Sequence, residues 1–282
     1  MAEADVLLVV GSRLDEITTQ NYTLLERQTL IQIHQDVNEM GKVYRPAIAV
    51  QSDLNEFSKS LAAMAFKLDG RNWAGWRDDA RKDYQDWTAI DLNNRPAFAG
   101  ADMTVIYDYL RSVLPSDVII TTDAGNFSGW AQRYIQYGRP GRLLAPISGA
   151  MGYSVPSAIG ASIANPGRVV LGLCGDGGFM MNGQELATAM HHGATPIIMI
   201  CNNGIYGTIR MHQEKKYPGR VSATTLTNPD FAALAQSYGA FAAVVENAAD
   251  FPAAWEAARN AGRVAVIEVR MDVRQLTTNS KL

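Results

Sequence analysis

The stretch from Leu171 to Ile209, LGLCGDGGFMMNGQELATAMHHGATPIIMICNNGIYGTI, contains two apolar runs that each end in polar and glycine residues. Val169–Cys174 and Pro196–Cys201 are typical of strands buried on both faces of a parallel sheet. Their polar ends are GDGG at 175–178 and NNG at 202–204. In open α/β sheets, ligands bind at the edge where the carboxyl ends of the strands emerge. One carboxylate, two amide oxygens and many backbone N–H groups at that edge predict a site for magnesium and a diphosphate group.

The composition is that of a globular protein with a full hydrophobic core. The chain has 282 residues, of which 47% are hydrophobic, and this length favours two domains. The net charge of −3 leaves no dominant basic surface, which argues against nucleic acid as a partner. The first apolar run is too short to span a membrane and lacks a signal-peptide pattern, so we expect no membrane attachment and a cytoplasmic location. Cys174 and Cys201 lie in predicted buried strands and are expected to be core residues in a reducing compartment.

The first third of the chain has the pattern of a small α/β domain. Three apolar runs predict strands, and a helix with one apolar side follows them: Asp5–Gly11, Leu30–Gln35, Ala47–Gln51 and the helix Leu54–Phe66. A dinucleotide site after the first strand is an alternative interpretation. It is disfavoured because Gly11 stands alone where that fingerprint needs three glycines.

Residues 70–100 differ in amino-acid composition from the rest of the chain. Trp73, Trp76, Tyr84 and Trp87 alternate with charged residues, at spacings that fit one face of a helix. Aromatic residues among charges also occur in proteins that bind single-stranded nucleic acid. The charges nearly cancel here, so we favour a linker helix that packs its tryptophans on a neighbouring domain, followed by a loop at 93–100.

Helices and strands alternate regularly after residue 100. In order, the pattern predicts helix Met103–Leu114, strand Val118–Thr122, helix Phe127–Ile135, a short strand in Leu143–Pro146, helix Val155–Ala164, the two strands and the helix of the opening stretch, helix Pro229–Tyr238, strand Phe241–Val245, helix Phe251–Ala261 and strand Val264–Val269. Such an alternation predicts an α/β fold with a doubly wound parallel sheet.

The motif in the opening stretch resembles that of a known family. Gly175-Asp176-Gly177, followed after 24 residues (178 through 201) by Asn202-Asn203, is similar to the thiamine-diphosphate motif of the pyruvate-decarboxylase and acetolactate-synthase superfamily. The resemblance implies a partial, Rossmann-like middle domain at 1–69, a linker helix and loop at 70–100, a diphosphate-binding domain at 101–274 and a tail at 275–282. It also implies two cofactors, thiamine diphosphate and Mg²⁺.

The resemblance assigns roles to the two glycine-rich ends. Asp176 and Asn203 would supply side-chain oxygens to magnesium, and Ile205 a backbone carbonyl. Gly175 belongs to the same turn, and the N–H groups of Gly177 and Gly178 would receive phosphate oxygens. Asn202 is expected only to brace its turn.

Three further segments are assigned to the cofactor by the same resemblance. In SGAMGY at 148–153, Met151 would support the bent conformation of the cofactor, and the Gly149 carbonyl and the Met151 N–H would bind its pyrimidine ring. Asn126 and Phe127 fall where family members reach the diphosphate, and Tyr206 and Gly207 would border the cofactor. His191 and His192 are expected to cap the end of a helix rather than to act in catalysis.

The sequence also departs from the family. The glutamate that activates the cofactor belongs to an amino-terminal pyrimidine domain without a counterpart in this chain. Where acetolactate synthases carry a tryptophan that selects the acceptor, nine residues after Asn203, this chain has His212, and Thr208 replaces a methionine.

The resemblance therefore predicts that this chain is a part of an acetolactate-synthase-like enzyme, a lyase or transferase acting on 2-oxo acids. We expect the chain to be a fragment of a longer enzyme, or else one that works with a pyrimidine domain on a separate chain. It is expected to form a dimer or tetramer and to be nearly inactive when isolated. The alternative is a non-catalytic module that only binds the cofactor.

Overall fold

The computed structural model describes residues 3–25, 27–64, 73–138 and 141–278. The pattern of internal contacts divides the chain into two units, residues 1–75 and 76–282. This division falls inside the segment that the sequence assigns to a linker. The finer domain bounds given above remain predictions.

The first unit is a three-stranded parallel sheet followed by a helix. Its strands are β1 (Val6–Val10), β2 (Thr29–His34) and β3 (Ile48–Gln51), side by side in that order. Helix α1 spans Leu54–Ala63. It begins where the Asp53 carboxylate accepts hydrogen bonds from the N–H groups of Asn55 and Glu56, at 2.8 and 3.2 Å. The last two residues of the predicted helix, Ala65 and Phe66, lie outside the described residues.

One face of this small sheet exposes a group of aliphatic side chains. Leu8 and Ile48 lie on either side of Ile31 in the strand register, so all three share a face. We call Val6, Leu8, Val10, Ile48 and Val50 the open face of the first unit. Their exposed fractions range from 37% for Val50 to 54% for Val6.

The predicted linker helix is present as α2 (Ala74–Thr88). The burial of its tryptophans is not seen, because Trp76 and Trp87 are 52% and 49% exposed. Trp87 lies under the Arg133 guanidinium, 4.3 Å from its ring centre, and its carbonyl accepts a hydrogen bond from Arg133 Nε at 2.5 Å. That side of the helix is therefore half-buried rather than packed into a core.

The second unit contains a six-stranded, fully parallel sheet, as the alternating pattern predicted. The strands are β4 (Ile119–Thr122), β5 (Leu143–Leu144), β6 (Val170–Gly175), β7 (Ile197–Asn202), β8 (Phe241–Val245) and β9 (Ala265–Arg270). Their order is β5-β4-β6-β7-β9-β8. The chain runs outward from β4 to β5 and then crosses back over β4 to β6, so its direction across the sheet reverses between β4 and β6. In open α/β sheets a ligand binds at the carboxyl ends of the strands around such a point.

Helices cover both faces of this sheet, which confirms the doubly wound fold. The helices that follow α2 are α3 (Met103–Val113), α4 (Ser128–Tyr134), α5 (Ser154–Ala164), α6 (Asp176–Asn182), α7 (Leu186–His192), α8 (Gly207–Lys216), α9 (Phe231–Ser237) and α10 (Phe251–Arg259). All of them except α8 contribute buried residues. Strand β7 shows why two cores form. Its residues Ile197, Met199 and Cys201 face the core under α3, α4 and α10, and Ile198 and Ile200 face the core under α5, α7 and α9.

A long segment leaves the sheet and returns at the same place. Ile205 and Thr225 form an antiparallel bridge, and the Leu226 N–H donates to the Gly204 carbonyl at 2.8 Å. Helix α8 lies between these ends and has no fully buried residue. We call residues 205–225 the α8 excursion. Its base lies directly beside the polar end of β7.

Candidate functional site

A cavity of about 250 Å³ lies at the carboxyl edge of the large sheet. Residues that follow β4, β6 and β7 form most of its wall. All twelve residues that the sequence proposed for the site line it: Asn126, Phe127, Gly149, Met151, Gly175, Asp176, Gly177, Gly178, Asn203, Ile205, Tyr206 and Gly207. The structure therefore brings these residues together. The ligand atom that each one holds remains a prediction.

The glycines of this cavity are required by close neighbours. A Cβ on Gly177 would come within 2.6 Å of Tyr206 Cε1, and one on Gly178 would overlap Asp123 Oδ2. At Gly149 the backbone has φ of +66°, which residues with a Cβ rarely adopt, and the side of its Cα is open. At its glycine residues the cavity wall therefore presents backbone atoms, and no side chain, to a ligand.

Asp176 is the buried acidic group at the centre of the site, with 3% of its surface exposed. Its Oδ1 accepts a hydrogen bond from the Gly177 N–H at 2.9 Å. Its Oδ2 accepts from the Gly204 N–H at 2.9 Å and from Asn228 Nδ2 at 2.8 Å. Burial raises the pKa of Asp176, while the hydrogen bond from Asn228 and those from Gly177 and Gly204 lower it. A cation placed here would favour the ionised form.

Asn203 and Ile205 lie in the tight turn that follows β7. Asn203 Oδ1 accepts from the Ile205 N–H at 3.2 Å, so the amide side chain is oriented by its own backbone. Its oxygen keeps a second lone pair. Among the described residues there is no group of three or more His, Cys, Asp or Glu side chains arranged to hold a metal ion. A cation at this site would therefore need oxygens from amides, carbonyls, water or a ligand, besides Asp176.

Asn202 braces the turn, as the sequence suggested, and also connects the site to a second buried acid. Its Oδ1 accepts from the Gly204 N–H and from Asn228 Nδ2, at 3.1 and 3.0 Å. Its Nδ2 donates to Glu268 Oε1 at 2.7 Å. Sequence reasoning missed Asn228 and Glu268. A glutamate within the apolar run of β9 was the one local signal available, because an acidic residue is rarely buried without a partner.

The turn that carries Met151 is held by two hydrogen bonds from other parts of the chain. Gly152 has φ of +83°, and its carbonyl accepts from Asn182 Nδ2 at 2.6 Å. The Ala150 carbonyl accepts from the Ala124 N–H at 3.2 Å. Met151 is half-buried and lines the cavity. Its position is thus fixed by backbone contacts of its neighbours.

Asp123 at the end of β4 is a second buried carboxyl in the cavity wall, which sequence reasoning did not select. Its Oδ1 accepts from the Ser154 N–H at 2.6 Å, at the start of α5. Its Oδ2 is buried and has no hydrogen-bond partner among the described residues. Burial raises the pKa of Asp123, against the effect of the hydrogen bonds from the backbone at 152–154.

Asn126 is fixed across the cavity by helix α8. Thr208 Oγ1 donates a hydrogen bond to Asn126 Oδ1 at 3.0 Å. The same hydroxyl accepts a hydrogen bond from the Asn126 N–H at 3.2 Å. This contact ties the loop after β4 to the first turn of α8. Thr208 therefore has a structural role at this site.

The segment after β9 closes one side of the cavity. Met271, Gln275 and Leu276 line it, and Gln275 and Leu276 are each 3% exposed. Gln275 Nε2 donates to the Ala101 carbonyl at 2.8 Å, and its Oε1 accepts from the Met103 N–H at 3.1 Å. Both residues fall in the stretch that the sequence assigned to a tail. Their contacts, which reach back more than 170 residues along the chain, gave no local signal.

The histidines lie away from the site. His191 and His192 are exposed in the last turn of α7, which ends at Gly193 in the left-handed conformation with φ of +62°. His212 is exposed on α8 and does not line the cavity. No helix among the described residues is long and apolar enough to cross a membrane.

Two families of domains match this chain. Residues 123–269 match the "Thiamine pyrophosphate enzyme, C-terminal TPP binding domain", and residues 1–61 match the "Thiamine pyrophosphate enzyme, central domain". The first range begins directly after β4, contains β5 to β8 and all but the last residue of β9, and includes most of the cavity wall. The second includes the small sheet and most of α1.

Several acetolactate synthase subunits are similar to the chain. The isozyme 2 large subunit of Escherichia coli is 32% identical over 240 residues, which are 84% of this chain and 42% of that protein. The large subunit of Parasynechococcus marenigrum is 32% identical over 245 residues, 85% of this chain and 39% of that protein. The isozyme 1 large subunit of Escherichia coli is 29% identical over 281 residues, with 98% and 48% covered.

The chain spans less than half the length of these curated relatives. Its two domain matches follow each other in the order that the sequence analysis expected. The match over residues 123–269 contains both polar strand ends and the carboxylate at the centre of the cavity. On this evidence the chain belongs to the thiamine pyrophosphate enzyme family, of which it carries a central-domain segment and the carboxyl-terminal binding domain.

Proposed function

We propose that this chain is the diphosphate-holding part of an acetolactate-synthase-like enzyme that acts on 2-oxo acids. The observation that carries the proposal is the convergence of twelve residues, chosen from the sequence, on one cavity at the sheet edge. The names of the relatives support the reaction class. The cytoplasmic location expected from the sequence also remains part of the proposal.

Magnesium binding is the first part of the proposal. Asp176 is buried beside Asn203 and Ile205, and the three together offer the hard oxygens that magnesium prefers. Magnesium usually completes its shell with water and phosphate oxygens. Magnesium at this site would therefore be held jointly with the diphosphate. The N–H groups of Gly177 and Gly178, in the first turn of α6, would hold the phosphate oxygens, and the Gly177 N–H also donates to Asp176 Oδ1.

We propose that Met151 packs against the cofactor and supports its bent conformation. When bound, thiamine diphosphate supplies a carbon centre that adds to the carbonyl of a 2-oxo acid and accepts the electrons released on decarboxylation. The chain's own contribution is to hold that group in a bent conformation against Met151. The fixed turn at 149–152 would keep the Gly149 carbonyl and the Met151 N–H in place for the pyrimidine ring.

A second polypeptide surface is proposed to complete the site with the activating glutamate. Exposed apolar side chains next to cavity residues in the sequence support this: Ile147, shortly before Gly149, is fully exposed, and Met180 and Met181, shortly after Gly178, are about half exposed. A pyrimidine domain, from the same or another polypeptide, or a partner subunit in a dimer or tetramer, would cover these side chains. The second candidate function, a cofactor-binding module without turnover, differs only in lacking that partner.

The test measures binding and turnover separately. Thiamine diphosphate with magnesium should raise the melting temperature of the purified chain, and Asp176→Ala should abolish the increase. Decarboxylation of a 2-oxo acid by the isolated chain should be close to the uncatalysed rate. Absence of any ligand-induced shift in the unmodified chain would contradict the binding proposal, and substantial turnover would contradict the need for a separate glutamate.

A further inference from the structure

Asn228 contacts the ends of two strands with one amide nitrogen. Its Nδ2 donates to Asp176 Oδ2 at 2.8 Å and to Asn202 Oδ1 at 3.0 Å. An amide nitrogen carries two hydrogens, so both bonds form at the same time. Asn228 is separated by 52 residues from Asp176 and by 26 from Asn202. It therefore joins the polar ends of β6 and β7, which no local sequence pattern connects.

The two carboxylate oxygens of Asp176 accept different numbers of hydrogen bonds. Oδ2 accepts two hydrogen bonds, from Asn228 and from the Gly204 N–H, which fill its two in-plane lone pairs. Oδ1 accepts one, from the Gly177 N–H. Oδ1 is thus the oxygen that retains a lone pair for a cation. Without Asn228, only the Gly177 and Gly204 N–H groups would hold the orientation of the carboxylate.

The amide of Asn228 is itself oriented by a chain of bonds. Asn202 must turn its oxygen toward Asn228, because its Nδ2 donates to Glu268 Oε1 at 2.7 Å. Glu268 is 2% exposed, and the same oxygen accepts from Arg270 Nε at 3.2 Å. Glu268 therefore fixes Asn202, and Asn202 and Asp176 together fix Asn228.

The backbone places Asn228 at the base of the α8 excursion. Leu226, two residues earlier, is bonded to the Gly204 carbonyl, and Thr225 forms a bridge with Ile205. The Gly204 N–H also donates to both Asp176 and Asn202. Gly204, just before the excursion, and Asn228, shortly after it, therefore bond to the same two side chains, those of Asp176 and Asn202.

From these contacts we infer that Asn228 is a positioning residue for Asp176, and that its amide sets the affinity of the site for magnesium. The inference rests on the proposed function, in which Asp176 is a magnesium ligand. It assigns to Asn228 a role that is distinct from ligation. Losing a partner of a ligating carboxylate typically weakens metal affinity by about 10- to 100-fold.

The experiment compares Asn228→Ala and Asn228→Asp with the unmodified chain. Asn228→Asp keeps the shape of the side chain but replaces the donor with a carboxylate that faces Asp176. Asn247→Ala is the matched control, since Asn247 Oδ1 caps a turn at 248–250 by accepting from the Ala249 N–H, and the residue does not line the cavity. Binding of thiamine diphosphate is measured by calorimetry across a magnesium titration. Loss of the free Mn²⁺ resonance signal gives the affinity for a divalent metal directly.

We expect the half-saturating magnesium concentration to rise about 10- to 100-fold in Asn228→Ala and at least as much in Asn228→Asp. Asn247→Ala should match the unmodified chain. Saturating magnesium should restore thiamine diphosphate binding to Asn228→Ala, because the site is intact and only its metal affinity is reduced.

Three outcomes would overturn the inference. An unchanged magnesium requirement in both Asn228 variants would reject it and leave the proposed function standing. Binding that no magnesium concentration restores, with a lower melting temperature in the absence of ligand, would make the role of Asn228 purely structural. Failure of the unmodified chain to bind the cofactor with magnesium would overturn the proposed function and the inference together.

Discussion

Asp123 is a buried carboxyl group of which only one oxygen is hydrogen-bonded. Oδ1 accepts from the start of α5, and Oδ2 has no partner among the described residues. Burial raises its pKa above the ordinary value near 3.8. Between that value and the raised one, the folded chain binds more protons at this position than the unfolded chain. The contribution of Asp123 to the free energy of unfolding therefore falls as the pH rises through this window.

Asp123→Asn should change the pH dependence of stability. The asparagine keeps an oxygen for the Ser154 N–H but has no proton to lose. Acidification from pH 7 toward pH 4 should therefore stabilise the unmodified chain relative to the variant. Melting temperatures of both proteins, measured in parallel across that range, give the difference at each pH. A difference that stays constant would show that Asp123 has the same pKa in the folded and unfolded chain.

The same comparison separates Asp123 from the other buried acid of the site. Asp176 also has a raised pKa, and it is present in both proteins. Its contribution to the pH dependence therefore cancels when the two curves are subtracted. What remains belongs to the residue that was changed.

At the scale of elements, helices α5 and α6 show how differently two glycines contribute. Gly160 lies in the interior of α5, is exposed and has nothing near the position of a Cβ. Gly178 lies in the first turns of α6, where a Cβ would overlap Asp123 Oδ2. Gly160 lowers the stability of its helix without relieving any close contact. Gly178 also lowers it, but it leaves room for the buried side chain of Asp123.

Alanine at these two positions should therefore have opposite effects. Gly160→Ala should increase the free energy of unfolding by about 0.5–1 kcal/mol, because alanine loses less conformational entropy in a helix. Gly178→Ala should decrease it by about 1–3 kcal/mol, the usual result of overpacking a core. Chemical denaturation of the two variants measures both values. A stabilising effect at Gly178 would mean that Asp123 moves aside without cost.

The strands of the large sheet were the part of the fold that could be predicted most fully. Most are largely apolar runs bounded by glycine, proline or polar residues, with Glu268 in β9 as an exception, and β6 and β7 lie within one residue of their predicted positions. The cavity residues followed from those strand ends and from the motif they carry. The predicted helices are also present, although most are shorter at their ends.

The partners of the site residues could not be predicted in the same way. Asn228, Glu268 and Gln275 act through hydrogen bonds to residues 52 to 174 positions away, such as Asp176, Asn202 and Ala101. Such bonds depend on the folded arrangement and leave no periodic pattern in the sequence. Asp123 was overlooked for a related reason, since an acidic residue after a strand is also the ordinary start of a turn.

At the scale of the whole molecule, the open face of the first unit is the largest departure from a covered α/β arrangement. Parallel sheets normally have both faces covered. Here Leu8 and Ile48 expose about half of their surface side by side across Ile31. Exposed aliphatic groups arranged in this way favour association with other apolar surfaces.

Replacing Leu8 and Ile48 with lysine should reduce self-association of the chain. Light scattering as a function of protein concentration measures the effect, and the melting temperature should change little because both side chains are already half exposed. Ile163→Lys is the control, since Ile163 is a similarly exposed residue of the second unit, on α5. Equal scattering before and after the double change would show that the open face does not drive association.

The α8 excursion begins and ends at one point of the sheet edge, and this has a consequence for how the protein can diversify. Because Ile205 meets Thr225 at its base, the number of residues between them can change without moving a strand. Doubling the length of such a loop costs only about 0.6 kcal/mol of closure entropy. The outer part of the excursion, beyond the cavity residues 205–209, can therefore be exchanged as a unit. Evolution, or an engineer, can try new sequences there while the contacts at the base of the excursion stay the same.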